Sequence, residues 1–150
     1  MDVIRFYHNV RHREHGLCQI LTKALAQGKT AAVLAGSMAD LNALDQLMWE
    51  VPATGFIPHC QVGEPLENDT PIVLGLDTQK LPARDILVNW TDAAVADDPR
   101  FSMLVEMVAA DDEVGKAQAR ERFRAYRQAG RRIESHDMAL IRGGSDGTQG

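Results

Sequence analysis

The fold is decided by the stretch Thr30-Ala-Ala-Val-Leu-Ala35, a short run without a charged residue. Such a run is typical of a strand that is covered on both faces, as the strands of parallel sheets are. It therefore predicts a sheet that lies between two layers of helices.

Segments on either side of this strand have the pattern of amphipathic helices. Before it, Leu17–Leu25 carries apolar residues at helical spacing, and Gly28 follows as a C-terminal cap. After it, Ser37 and Asp40 stand in capping-box positions ahead of the apolar stripe in Leu41–Met48. Strands that alternate with helices in this way predict an α/β protein.

Further strands and one long helix complete the predicted pattern. Strands are expected at Val3–His8, Pro71–Leu76, Asp85–Trp90 and Met103–Val108, with a brief extended piece at Gly55–His59. The long helix is expected at Asp112–Ala129. The sequence thus predicts an α/β sandwich with a mainly parallel sheet of about five strands flanked by helices. A single domain would span residues 1–140, and the glycine-rich end 141–150 would be a disordered tail.

The composition is that of an ordinary globular chain. The 150 residues are 45% hydrophobic and 25% charged, and the formal net charge is −5. No apolar run approaches the roughly 18–20 residues that cross a bilayer, and the N-terminus lacks the apolar stretch of a secretory signal. Cys18 and Cys60 stand far apart, which is typical of free thiols in a reducing cytoplasm. These features predict a cytoplasmic protein that does not associate with membranes.

A basic stripe near the end of the chain is the strongest functional signal. Four of its residues, at spacings of 4, 3 and 4, would share one face of a helix. They are Lys116, Arg120, Phe123 and Arg127. The segment 116–132 holds seven Lys and Arg residues against one acid, a charge of +6, so the rest of the chain carries −11. Cations around an aromatic ring predict a docking site for an anion with an apolar end.

Three chemical motifs are incomplete. Gly28-Lys29-Thr30 resembles the end of a phosphate-binding loop, but Lys23 replaces the required earlier glycine and the flanking strand and helix are reversed. His8, His12 and His15 could share a helical face and hold zinc, but a fourth ligand is missing, so a polar loop is the simpler interpretation. Acidic residues in the loops, such as Asp111 and Asp112, could do acid–base work or bind magnesium, but they lie beside helix starts, where they complement the helix dipole. The sequence therefore predicts no metal, no cofactor and no catalytic residue.

Two segments of the chain are similar to those of a known family. The first is Leu44-Asp-Gln-Leu-Met-Trp49, followed by Pro52, Phe56-Ile-Pro-His59 and Gly63-Glu64. The second is Ala119-Arg-Glu-Arg-Phe-Arg-Ala-Tyr-Arg-Gln-Ala-Gly130, and Arg84-Asp-Ile-Leu87 between them also fits. In this order, from the first strand to the region of Ile133, the chain resembles the chi subunit of the bacterial DNA polymerase III holoenzyme.

The resemblance implies a Rossmann-like three-layer fold and a non-enzymatic accessory subunit of the clamp loader. Family members bind the acidic C-terminal tail of single-stranded-DNA-binding protein, and they also bind the psi subunit. They thereby link the replicase to coated template during lagging-strand synthesis, so contact with DNA would be indirect.

Residue by residue, the resemblance places the tail-binding site on the basic stripe. Lys116, Arg120 and Arg127 match the family's basic positions, and Phe123 stands at an aromatic position. The tail is a run of aspartates that ends in a phenylalanine with a free carboxylate, which arginine can bind in bidentate fashion. The alternative is that Phe123 packs on the sheet with Tyr126 and the basic face is merely solvated.

A second interface is implied at Trp49 and Phe56. In the family, aromatic residues at these positions face psi, and the same surface can engage a helicase. Tryptophan and phenylalanine are common anchors of protein interfaces. The alternative is that both rings simply cover the edge of the sheet.

Two other functions compete with the adaptor role. The basic helix could bind single-stranded nucleic acid directly, although the aromatic content of 5% offers few stacking platforms. The fold class alone would also allow a small enzyme that uses nucleotides or phosphates, but no glycine-rich loop supports it.

Overall fold

A computed structural model describes residues 1–50 and 57–138 of the chain. The helices are α1 (Arg13–Ala26), α2 (Met38–Glu50) and α3 (Glu113–Gln128). The strands are β1 (Val3–Val10), β2 (Ala31–Ala35), β3 (His59–Gln61), β4 (Ile72–Gly75), β5 (Ile86–Trp90), β6 (Met103–Ala109) and β7 (Ile133–Asp137). None of the helices within these ranges is long and apolar enough to cross a membrane.

The described strands form one sheet in the order β3-β4-β2-β5-β6-β1-β7, and every pairing is parallel. The helices α1 and α2 cover one face of this sheet, and α3 covers the other. This arrangement confirms the predicted Rossmann-like α/β sandwich. The sheet is parallel throughout, where the sequence predicted mainly parallel.

The predicted strand count was low, because the described sheet has seven strands and the sequence analysis counted about five. The strand β7 was missed because its sequence Ile133-Glu-Ser-His-Asp137 holds a single apolar residue. Among the described strands β7 pairs only with β1, so it is an edge strand of the described sheet, where polar residues are common. The other new strand, β3, begins at His59; most of the extended piece predicted at Gly55–His59 lies outside the described residues.

The central strand β2 is buried on both sides, as its sequence predicted. Ala31, Val33 and Ala35 face the core beneath α1 and α2, whereas Ala32 and Leu34 face the core beneath α3. The alternation follows from the twofold repeat of side chains along a strand. One short apolar stretch therefore contributes to both hydrophobic cores.

The helix ends also follow the sequence. Gly28 adopts a φ of 75° directly after α1, a conformation that favours glycine. The backbone N–H of Asp40 donates to the Ser37 hydroxyl at 3.1 Å, which caps α2. The Asp112 carboxylate accepts from the N–H of Gly115 at 3.0 Å, which caps α3. The Ser37 and Asp112 caps satisfy backbone donors at the helix starts, and at the end of α1 the Gly28 N–H donates to the Leu25 carbonyl at 3.0 Å.

A buried carboxylate joins α3 to the sheet. Glu106 lies on β6 with none of its surface exposed. Its oxygens accept hydrogen bonds from Arg122 Nε at 3.0 Å and from the Tyr126 hydroxyl at 2.6 Å, both on α3. Asn89 on β5 donates a third hydrogen bond at 2.9 Å. Arg122 and Tyr126 are one helical turn apart, so the cluster determines which side of α3 faces the sheet.

The buried environment of this cluster shifts the pKa values of Glu106 and Tyr126. Burial raises the pKa of Glu106, and the Arg122 guanidinium and the hydrogen bonds from Tyr126 and Asn89 oppose that rise. Burial beside the same carboxylate raises the pKa of the Tyr126 phenol above its ordinary value. The phenol therefore remains a hydrogen-bond donor at neutral pH.

We predict that Glu106→Ala destabilises the fold strongly, because it leaves the buried Arg122 guanidinium without its carboxylate. The expected loss in the free energy of unfolding is about 3–5 kcal/mol. The matched control is Glu121→Ala, which removes an exposed ion pair with Arg124 and should cost less than about 1 kcal/mol. Urea unfolding of both variants measures the difference, and equal effects would contradict the structural role of Glu106.

A candidate partner-binding cleft beside the last helix

A cleft of about 300 Å³ lies between α3 and the strands β1, β6 and β7. Three of the four residues predicted for the tail-binding site line it: Lys116, Arg120 and Phe123. The remaining lining residues are Phe6, His8, Asn9, Val108, Ala119 and Ser135. The helical wall is therefore basic, while the strands supply an apolar floor and a polar rim.

The fourth predicted residue, Arg127, is exposed on α3 outside this cleft. It follows Arg120 by seven residues, which corresponds to about 10 Å along a helix axis. The predicted site is thus a cleft with an additional cation further along the same helix.

Phe123 takes part in both interpretations that the sequence left open. Its ring is half-buried and packs edge-on against Phe6 of β1, with ring centroids 5.4 Å apart and an interplanar angle of 65°. The same ring also lines the cleft. Phe123 therefore joins α3 to the sheet and provides apolar surface to any occupant.

The cations of the stripe differ in their local pairing. Lys116 Nζ lies 3.1 Å from the Glu113 carboxylate, an exposed partner in the first turn of the helix. Arg120 and Arg127 are exposed, and neither forms a hydrogen bond or ion pair with another of the described residues. These two guanidinium groups retain their full set of donors for a partner.

The other four cations of segment 116–132 have structural partners. Arg122 binds the buried Glu106, and Arg131 donates to the Val95 carbonyl at 2.6 Å. The exposed pairs are Arg124 with Glu121 and Arg132 with Glu134. The sequence counted all seven charges alike, whereas among the described residues Arg120 and Arg127 differ from the other five in having no hydrogen-bond or ion-pair partner.

The second predicted interface is described only in part. Trp49 is 55% exposed at the end of α2, and its ring centroid lies 5.0 Å from that of His59. His59 is buried, and its Nε2 lies 3.0 Å from the Asp45 carboxylate. The exposed Trp49 ring thus packs beside the buried His59 ring and offers an aromatic surface. Phe56 lies outside the described residues.

Sequence reasoning missed the strand side of the cleft. Phe6 and His8 are alternate residues of β1, and Ser135 is on β7, so pairing of the strands brings them together. The alternation of side chains along β1 could have shown that Phe6 and His8 share a face of the sheet. The strand β7, however, was not predicted from the sequence. In the described part of the chain, which includes the three histidines considered for zinc, no group of three His, Cys, Asp or Glu residues is placed to hold a metal ion.

A second cavity, of about 270 Å³, lies at the carboxyl ends of β2, β5 and β6. The Arg13 guanidinium lies 3.8 Å above the centre of the Trp90 ring, and Arg13 Nε donates to the Met107 carbonyl at 3.1 Å. Burial lowers the pKa of Arg13. The cavity also holds Asp40 and Asp92 in its walls, so its charges are mixed and it differs from the basic cleft.

Fold and cleft together define a doubly wound α/β protein with a basic cleft beside its last helix. Comparison with known families matches residues 1–134 to the DNA polymerase III chi subunit, HolC. The DNA polymerase III subunit chi of Pseudomonas aeruginosa is 32% identical over 124 residues, which are 83% of this chain and 85% of that protein. The subunit chi of Escherichia coli K12 is 29% identical over 118 residues, 78% of this chain and 80% of that protein.

The chain belongs to the DNA polymerase III chi subunit family. The resemblance stated from the sequence segments is thereby confirmed. The protein is an accessory subunit of DNA polymerase III in DNA replication, and it has partners in the replication complex.

Proposed function

We propose that the protein is a cytoplasmic adaptor without catalytic activity that binds the acidic C-terminal tail of single-stranded-DNA-binding protein in the cleft beside α3. A second surface around Trp49 would connect it to the psi subunit. The observation that carries the proposal is the cleft itself, in which Lys116, Arg120 and Phe123 meet an apolar floor.

The chemistry of the cleft matches the two parts of such a tail. The terminal phenylalanine ring needs apolar surface, which Phe6, Val108 and Phe123 provide. Its carboxylate needs cations, and the Arg120 guanidinium can donate two parallel hydrogen bonds to it. Lys116 adds a positive charge one turn earlier on α3.

The position of Arg127 suits the aspartates that precede the terminal residue. It lies about 10 Å along α3 from Arg120, the length of about three extended residues. A carboxylate at that distance would meet a guanidinium with no partner among the described residues. The tail would therefore lie along α3, with its end in the cleft.

The expected affinity is moderate. Each exposed ion pair contributes about 0–1 kcal/mol, so charge alone cannot hold the tail. One buried aromatic ring together with several such pairs would give a micromolar complex, equivalent to about −8 kcal/mol. The charged part of this interaction weakens as salt increases.

We predict that Arg120→Ala lowers the affinity for an acidic peptide that ends in phenylalanine by roughly 10-fold or more, since a hydrogen bond to a charged group contributes about 1.5–3 kcal/mol. The matched control is Arg124→Ala, which removes an exposed arginine of the same helix that does not line the cleft. Isothermal titration measures both affinities, and circular dichroism verifies the fold. Equal binding by the two variants would place the site elsewhere.

The occupant of the apolar floor is tested by changing the peptide. We expect saturable binding of the complete peptide that weakens from low to moderate salt, and a loss of binding when the terminal phenylalanine is removed. Both changes follow from a ring in the cleft and a carboxylate beside Arg120. Binding that is indifferent to the terminal residue would contradict this pose.

The guanidinium groups of Arg120 and Arg127, which have no partner in the described part of the chain, also suit direct binding of single-stranded DNA. Phe123, however, is half-buried and packs against Phe6, so only part of its ring is available for stacking with bases. A salt titration with bare single-stranded DNA separates the two functions. Tight binding at low salt would favour the nucleic-acid function.

For the second surface, we predict that Trp49→Ala reduces binding to a psi subunit from the same organism while it leaves the acidic-tail peptide unaffected. An exposed tryptophan is a typical interface anchor, and its truncation commonly costs about 2 kcal/mol or more. The control is Met38→Ala, which alters another exposed apolar residue on α2. Co-purification of both variants with psi measures the effect. Unaltered co-purification of Trp49→Ala would remove this surface from the proposal.

A further inference from the structure

His8 is part of the cleft wall opposite α3. It lies near the end of β1, is half-buried, and lines the same cleft as Lys116 and Arg120. The sequence had suggested only a metal-binding or loop role for this histidine. Its place in the cleft instead brings an imidazole to the side where the peptide carboxylate would bind.

Charged residues of α3 and β7 lie beside His8. Lys116 and Arg120 face it across the cleft from α3. Asp137 is its cross-strand neighbour on β7. The Asp137 carboxylate accepts a hydrogen bond from Asn9 Nδ2 at 2.9 Å, so it already has a local partner. The neighbouring strand β6 contributes the uncharged Val108 to the same wall.

We infer that His8 is a further binding residue of this cleft and that, when protonated, it strengthens the binding of a carboxylate-ended peptide. The inference rests on the proposed function of the cleft. The imidazole lines the same cleft of about 300 Å³ as Lys116 and Arg120, so an anion bound beside these two cations would share the cleft with it. The affinity for the acidic tail then depends on pH.

The direction of this dependence follows from the charges. Imidazoles gain their proton between about pH 8 and pH 5. The peptide's terminal carboxylate and aspartates have ordinary pKa values of about 3.3–3.9, so they remain ionised throughout this range. Acidification therefore adds a positive charge to the cleft and removes none from the ligand. The affinity rises as the pH falls, and the bound anion in turn favours the protonated imidazole.

The test uses the full chain and a peptide of aspartates ending in phenylalanine, titrated at pH 5.5, 6.5 and 8.0 at constant ionic strength. We expect wild type to bind about fivefold more tightly at pH 5.5 than at pH 8.0, the scale of one partly exposed charge pair. His8→Gln should bind at all three pH values about as tightly as wild type does at pH 8.0. His8→Lys, which keeps its charge, should bind at pH 8.0 about as tightly as wild type does at pH 5.5.

The control is His15→Gln, which removes an exposed imidazole on α1 outside the cleft and should retain the pH dependence of wild type. If His8→Gln keeps the wild-type pH dependence while Arg120→Ala loses binding, the role of His8 is overturned and the proposed function stands. If folded wild type binds no peptide at any of the three pH values, the proposed function fails and this inference fails with it.

Discussion

The buried carboxylate of Glu106 is the constraint on which the position of the cleft depends. The helix α3 contributes few apolar residues to its core, and the buried ones are Ala119 and Tyr126. Hydrogen bonds from Arg122 and Tyr126 to Glu106 supply the directional contacts that such a helix otherwise lacks. A buried charge without a partner is costly, so these contacts favour one rotation of α3 on the sheet.

That rotation separates the residues of α3 into two groups. Arg122 and Tyr126 point at the sheet, and Lys116, Arg120 and Phe123 turn toward the end of β1. A rotation by one residue, about 100° of the helix, would bury a different set and remove the cleft. The buried Arg122 thus positions the cations that α3 presents at the cleft, Lys116 and Arg120.

The sequence predicted the features that depend on local physics. The uncharged run Thr30–Ala35 became a strand buried on both faces, and Gly28 and Ser37 became helix caps. The polar strand β7 could not be recognised, because its pairing with β1 is a tertiary contact. The role of Arg122 was hidden for the same reason: only the folded chain places Glu106 beneath it.

The acidic character of the whole chain bears on which anion the cleft favours. Salt screens charges over about 8 Å at physiological ionic strength, so a short peptide at Arg120 and Arg127 experiences mainly the local cations. A long polyanion such as single-stranded DNA extends beyond that distance, and the residues outside the +6 segment carry a net −11. Under the proposed function, a short acidic tail at these two arginines would therefore meet mainly local cations, whereas an extended strand would also meet the acidic residues of the rest of the chain.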